Sequence, residues 1–153
     1  MAKKNNPANY IQDLQFFGEF GGVNPSIADS STFTYLAGKT MGDVFEGSRE
    51  GCYLYSRHTN PSTSYLGQAL AKMENTKGAI LSASGMGAIT TTLLQLCSAG
   101  EEIISSRTIY GGTYAFMKNY LPKFSIKTNF VNTTKLSEIQ NAITSKTKVI
   151  YCE

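Results

Sequence analysis

From Pro61 onward the chain alternates helix-like and strand-like segments at short spacing, and this alternation constrains the fold more than any other feature. SYLGQALAKMEN sets Tyr65, Leu66, Ala69, Leu70 and Met73 on one helical face. GAILSA then reads as a short buried strand, and GMGAITTTLLQLC as a helix ending before Gly100. EEIISS reads as a strand, GGTYAFMKNYL as a helix stopped by Pro122, SIKTNFVN as a strand, KLSEIQNAIT as a helix and KVIYC as a strand. Strands separated by helices cannot form hairpins with one another, so the pattern predicts an α/β layer fold with a mostly parallel sheet. The last strand runs into Glu153 with nothing after it to cover it, which reads as a truncated domain.

The residues before Pro61 have a different character. NPANYIQDLQFF reads as a short helix, with Asn6 as its cap, Pro7 in its first turn, and Tyr10, Ile11, Leu14 and Phe17 on one face. Residues 18 to about 50 are irregular and rich in Gly, Ser and Thr, with a single weak helical turn expected near MGDVFEG. Such a segment suits an arm better than a core. The expected organisation is therefore an arm over residues 1–60, followed by the first part of an α/β domain over 61–153.

Composition narrows the function classes. A hydrophobic fraction of 41% against 16% charged residues reads as a globular chain. No run of about 18 apolar residues occurs, so no membrane span is expected. The start, MAKKNNPANY, lacks the apolar stretch of a secretory signal. Cys52, Cys97 and Cys152 are scattered without a CxxC pair, which argues against a zinc site and fits reduced thiols in the cytoplasm. The net charge of +3 is mild and the lysines are dispersed, so nucleic acid is not implied.

Several local features are candidates for a site. In SASGMGAIT, residues 82–90, a strand-like segment meets a glycine-rich turn and a helix start. That arrangement aims free backbone N–H groups and a positive helix end at one point, and Gly85 and Gly87 leave room for an anion; a plain turn requiring small residues would look the same. It is not a dinucleotide fingerprint, because GxGxxG fails at Thr90. AGKT at 37–40 imitates the end of a phosphate-binding P-loop, but Phe33 stands where the motif needs glycine. Tyr110 precedes Gly111 and Gly112 between a strand and a helix, on the edge where parallel sheets bind ligands; an ordinary interface tyrosine is the alternative. In LYSRHTNPST, Tyr55 and Arg57 would project to the same side of an extended segment. His58, the only histidine, stands beside Arg57 without any nucleophile motif such as GxSxG, and reads as a solvated or partner-facing turn residue.

Taken together, YSRHTNPST, ASGMGAI, the Tyr-Gly-Gly-Thr loop and VIYCE resemble, in order and interval, the N-terminal part of the Cys/Met-metabolism enzymes that use pyridoxal 5'-phosphate. The resemblance runs from about Thr32 to the end. It implies the fold type I, aspartate aminotransferase-like architecture and an oligomer, a dimer or tetramer with shared active sites. In that arrangement Tyr55 and Arg57 reach the cofactor phosphate bound by the neighbouring subunit. The same phosphate rests on the backbone of Gly85 and Met86, while Tyr110 stacks on the pyridine ring and exchanges protons with the substrate. The implied activity is carbon–sulfur bond cleavage by elimination on a small sulfur amino acid, as in methionine or cystathionine γ-lyase. The alternatives are γ-replacement, β-cleavage, or a non-catalytic fragment that binds a partner subunit.

Two departures qualify the resemblance. The family's Schiff-base lysine follows a Ser-x-Thr-Lys pattern, beyond a strand whose aspartate pairs with the ring nitrogen, and both positions lie past Glu153. Ser145-Lys146-Thr147-Lys148 spells that pattern, but where the family has an ordinary surface loop, so Lys148 reads as a solvated lysine at a strand entry. Methionine γ-lyases usually carry cysteine two residues after the stacking tyrosine, whereas this chain has Gly112. Cystathionine and acylhomoserine enzymes therefore remain in play.

Overall fold

In a computed structural model, residues 19–34, 37–49 and 51–153 are described, and they fall into two compact units, Met1–Leu81 and Ser82–Glu153. The helix expected in NPANYIQDLQFF lies outside the described residues.

In the first unit, the weak turn near MGDVFEG forms as a 3-10 turn, Gly38–Thr40, leading into helix α1, Met41–Phe45. The P-loop look-alike thus belongs to a short helical turn. The main element is helix α2, Pro61–Met73. Asn60, with φ −138° and ψ 144°, caps it by accepting a hydrogen bond from the Ser62 N–H, and Pro61 occupies the first turn, where its missing N–H costs nothing. The far end closes on Asn75 at φ 54°, and the Thr76 N–H reaches back to the Ala71 carbonyl at 2.8 Å, so the last carbonyls are satisfied.

The apolar face expected on α2 is only partly buried. Gly67, Ala69 and Ala71 are buried, whereas Leu66, Leu70 and Met73 are exposed. At Gly67 a small residue is needed because the backbone of Ala79 passes close to it. A β-carbon placed on Gly67 would stand 2.9 Å from the Ala79 carbonyl oxygen. Gly67→Ala is therefore expected to destabilise the first unit by about 1–3 kcal/mol, because backbone rather than a flexible side chain must give way. Urea unfolding of the variant against the parent measures this.

The second unit is built on a three-stranded parallel sheet in the order β2-β1-β3. Strand β1, Glu102–Ser106, is central; β2, Lys127–Val131, and β3, Thr147–Tyr151, flank it. Ile103 pairs with Thr128 on one side and Val149 on the other. Four successive residues of β1, Ile103 to Ser106, are buried, as a parallel strand covered on both faces requires. Helix α3, Gly85–Leu96, precedes β1. Helix α4, Gly111–Ala115, begins the crossover to β2 and continues through a π-turn, Phe116–Tyr120, and a 3-10 turn, Leu121–Phe124. Pro122 therefore sits inside the 3-10 turn rather than ending the helix before it. Helix α5, Leu136–Ala142, joins β2 to β3.

Leu93, Cys97, Ile103, Met117, Leu121 and Ile126 form the core of this unit, with Ile89, Phe116, Phe130 and Val149 packed against it. Cys97 is thus an apolar filler; burial pushes its thiol up, and the nearby Glu101 carboxylate adds to the effect. The α/β expectation holds, with one correction: GAILSA, residues 78–83, forms no strand. A short apolar run becomes a strand only through hydrogen bonds to a neighbour, and none of the described residues pairs with it. Among the described residues no helix is long and apolar enough to cross a membrane.

Candidate active site

The C-terminal edge of the sheet in the second unit carries the site. Ser84, extended at φ −158° and ψ 156°, caps α3, and its Oγ accepts from the Gly87 N–H at 2.9 Å. That bond removes Gly87 from the donors an anion could use. A β-carbon at Gly87 would also press on Ser84 Oγ at 3.1 Å, so this glycine serves the cap. The expectation that Gly87 admits the anion is corrected accordingly. Gly85 and Met86 differ: their N–H groups have no partner among the described residues, and the space in front of Gly85 is open, with nothing within 4 Å of where a β-carbon would stand. Two adjacent unpaired donors at the positive end of a twelve-residue helix, beneath open space, fit a phosphate.

Tyr110 stands at the start of α4, with its side chain 64% exposed. Its ring lies across Gly112. A β-carbon at position 112 would meet Tyr110 Cε1 at 2.6 Å and the Met86 sulfur at 3.3 Å. Within the second unit the structure therefore brings Gly85, Met86 and Tyr110 to one place. Thr113, fully buried, supports the junction by packing its hydroxyl oxygen against the Met86 sulfur, 3.9 Å away.

Glu153 is a neighbour of this site that sequence reasoning missed. Its Oε2 accepts from the Tyr110 N–H at 2.5 Å, and its Oε1 accepts from the Thr113 hydroxyl at 3.3 Å and from the Tyr151 hydroxyl. A carboxylate thereby satisfies an N–H left free at the start of α4, a role suggested only by its position at the end of a strand next to the Tyr110 turn. The Tyr151 hydrogen bond, followed by that from Tyr110, holds the Glu153 carboxyl below the usual carboxylate range, against a smaller opposing effect of burial. The Tyr151 phenol is pushed up, first by burial and then by its bond to Glu153.

A carboxylate whose folded value is depressed adds stability above its unfolded value, about 4.3, and loses it as pH falls through the folded value. Glu101 is also depressed, chiefly by a hydrogen bond from the Ser98 N–H; Glu102 is depressed because bonds from Thr144 and Asn129 and the charge of Lys127 outweigh its burial. Stability of the second unit should therefore fall as pH drops below about 4.3. Glu153→Gln should flatten part of that slope. Urea unfolding across the acid range checks it; an acid limb parallel to the parent's would exclude a contribution from Glu153.

In the first unit Tyr55 and Arg57 form a pair, though not by strand alternation. Tyr55 makes an isolated antiparallel bridge with Thr32, and the chain then turns, with the His58 N–H donating to the Tyr55 carbonyl at 2.9 Å. The turn folds the Arg57 guanidinium over the Tyr55 ring, 5.1 Å from its centre, in a cation–π contact. Both side chains are exposed, as is His58. Lys148 belongs to the opposite end of the sheet from Tyr110, where its ammonium pairs with Glu101 at 3.3 Å. The Ser-x-Thr-Lys look-alike is thus a strand-entry ion pair.

Comparison with known proteins identifies the family. The chain belongs to the Cys/Met metabolism PLP-dependent enzyme family, whose model matches residues 10–153. Methionine gamma-lyase of Arabidopsis thaliana is 41% identical over 96% of this chain and 35% of that protein. L-methionine gamma-lyase of Fusobacterium nucleatum subsp. polymorphum is 36% identical over 88% of the chain and 34% of its own length. A solved structure described as an O-acetylhomoserine (thiol)-lyase of Campylobacter jejuni superposes with a TM-score of 0.86 at 27% identity, covering 94% of this chain and 35% of that one. That protein carries N'-pyridoxyl-lysine-5'-monophosphate. The chain spans about a third of the length of these relatives. The fold is that of pyridoxal-phosphate enzymes of fold type I, and pyridoxal phosphate is the family's cofactor.

Proposed function

We propose that this chain supplies the phosphate cradle and the catalytic tyrosine of an enzyme that cleaves the carbon–sulfur bond of a small sulfur amino acid by elimination. The observation that carries the reading is the pair of unpartnered N–H groups on Gly85 and Met86 beneath open space, next to the exposed ring of Tyr110. Pyridoxal phosphate, when bound, supplies an electron sink for the negative charge left at the substrate α-carbon. The chain's own residues do the rest. Gly85 and Met86 donate to the phosphate, and Tyr55 and Arg57 reach that phosphate in the neighbouring subunit of a dimer or tetramer, with residues 1–60 as the exchanged arm. Tyr110 packs on the pyridine ring, and its hydroxyl moves a proton to or from the substrate.

A γ-replacement enzyme is the second reading. It is supported by Gly112 in place of the cysteine usual in methionine γ-lyases and by the likeness to an O-acetylhomoserine (thiol)-lyase. Intact mass of the denatured, borohydride-reduced complete polypeptide tests the cofactor assignment. A lysine-linked cofactor adduct is expected, and a bare mass would favour a non-catalytic binding role. Product analysis with methionine, cystathionine and an acylhomoserine then separates elimination, which releases a keto acid and ammonia, from replacement, which does not.

A further inference from the structure

Asn60 does more than cap a helix. It is 7% exposed, and its amide is fully engaged. Oδ1 accepts from the Ser62 N–H at 2.8 Å, which is the capping bond. Nδ2 donates to the Ala28 carbonyl at 2.9 Å and to Ser56 Oγ at 2.9 Å. Capping uses the oxygen alone, and serine or aspartate would do it as well. The two amide donors therefore serve something else, the Ala28 carbonyl and the Ser56 hydroxyl.

Ser56 passes the restraint onward. Its hydroxyl donates to the Ser30 carbonyl at 2.5 Å and its N–H to the Ser31 carbonyl at 2.9 Å. The Ala28 N–H in turn donates to Ser62 Oγ at 2.9 Å. Ser56 is the residue between Tyr55 and Arg57, so the centre of their turn is held from one side by the buried amide and from the other by residues 30–31.

We propose that Asn60 is a positioning residue for cofactor binding: acting through Ser56, its side-chain amide fixes the turn that presents Tyr55 and Arg57 to the phosphate. This rests on the reading that Arg57 holds that phosphate. Arg57 is exposed and has no ion-pair partner among the described residues, and its guanidinium meets the exposed ring of Tyr55, a residue of the same turn, so that contact does not fix where the turn sits. A turn released from its tie samples several conformations, and ligand affinity falls in proportion to the fraction that remains competent.

Asn60→Ser is the test variant. It is neutral, keeps a capping oxygen, and lacks the amide donors that bind Ala28 and Ser56. In the apo form of the complete enzyme, dissociation constants are measured for pyridoxal phosphate and for pyridoxal, which has no phosphate. The expected result is about tenfold weaker binding of pyridoxal phosphate with pyridoxal changed by less than about twofold. Ser56→Ala, which cuts the relay without touching the cap, should repeat this selectivity and decides the matter if Asn60→Ser does not fold. On an Arg57→Ala background, Asn60→Ser should add less than about twofold, because the two act as a unit. Equal weakening of both ligands, or unchanged affinity for pyridoxal phosphate, would overturn the proposal. If Arg57→Ala alone leaves pyridoxal phosphate affinity unchanged, the phosphate assignment of Arg57 fails first, and the role of Asn60 goes with it.

Discussion

Tyr110→Phe in the complete enzyme is expected to lower kcat by about 10²–10⁴-fold while leaving cofactor affinity close to that of the parent. On the proposed function the ring would still pack on the cofactor, and only the hydroxyl that would move the proton is lost. The neighbours support this split. Tyr110 is held through its backbone, by its N–H bond to Glu153, and its ring rests on Gly112 beside Met86, so removing the hydroxyl disturbs none of these contacts. Steady-state kinetics with methionine, cystathionine and an acylhomoserine, alongside a cofactor titration, make the measurement. A kcat within a few-fold of the parent would remove the hydroxyl from the chemistry, and a large fall in cofactor affinity would assign Tyr110 to binding.

Arg57→Ala carries the second large effect. A hydrogen bond to a charged partner contributes roughly 1.5–3 kcal/mol, against about 0.3–1 kcal/mol for a helix terminus. Loss of the guanidinium should therefore weaken cofactor retention about 10- to 150-fold, more than any change confined to the start of α3 that keeps its N–H groups. Equilibrium dialysis, or residual cofactor absorbance after gel filtration, reads this directly. Unchanged retention would show that the backbone donors of Gly85 and Met86 suffice. Arg57→Lys should recover part of the loss, since the charge returns without the planar fork.

Much of the fold was legible from residue patterns, and the exceptions share a cause. β1, β2 and β3 were readable because each is a short apolar or β-branched run bounded by turns and separated by helical spacing. GAILSA has the same local character but lacks a pairing partner among the described residues, and no local pattern reveals that. The burial of Gly67 and the exposure of Leu66 and Leu70 were hidden for a similar reason, since the Ala79 carbonyl that lies against Gly67 cannot be read from a helical wheel.

At the site, the capped helix start in SASGMGAIT was legible from a serine followed by closely spaced glycines. Which glycine does what was not legible: Gly85 faces open space and Gly87 backs Ser84 and Ser82, a distinction that only the folded turn makes. Glu153 escaped notice because its partners, Tyr110 and Thr113, lie some forty positions earlier in the sequence. Asn60 was visible as a cap, but its amide donors act on Ala28 and Ser56, which only the folded chain brings near.

The resting place of the Tyr110 ring has one more consequence. The volume beside Gly112 holds either an aromatic edge or a β-carbon, but not both. Position 112 is therefore a parking space for the tyrosine. A β-carbon there would displace the ring, so one small residue sets where the phenol rests without any change to the tyrosine itself.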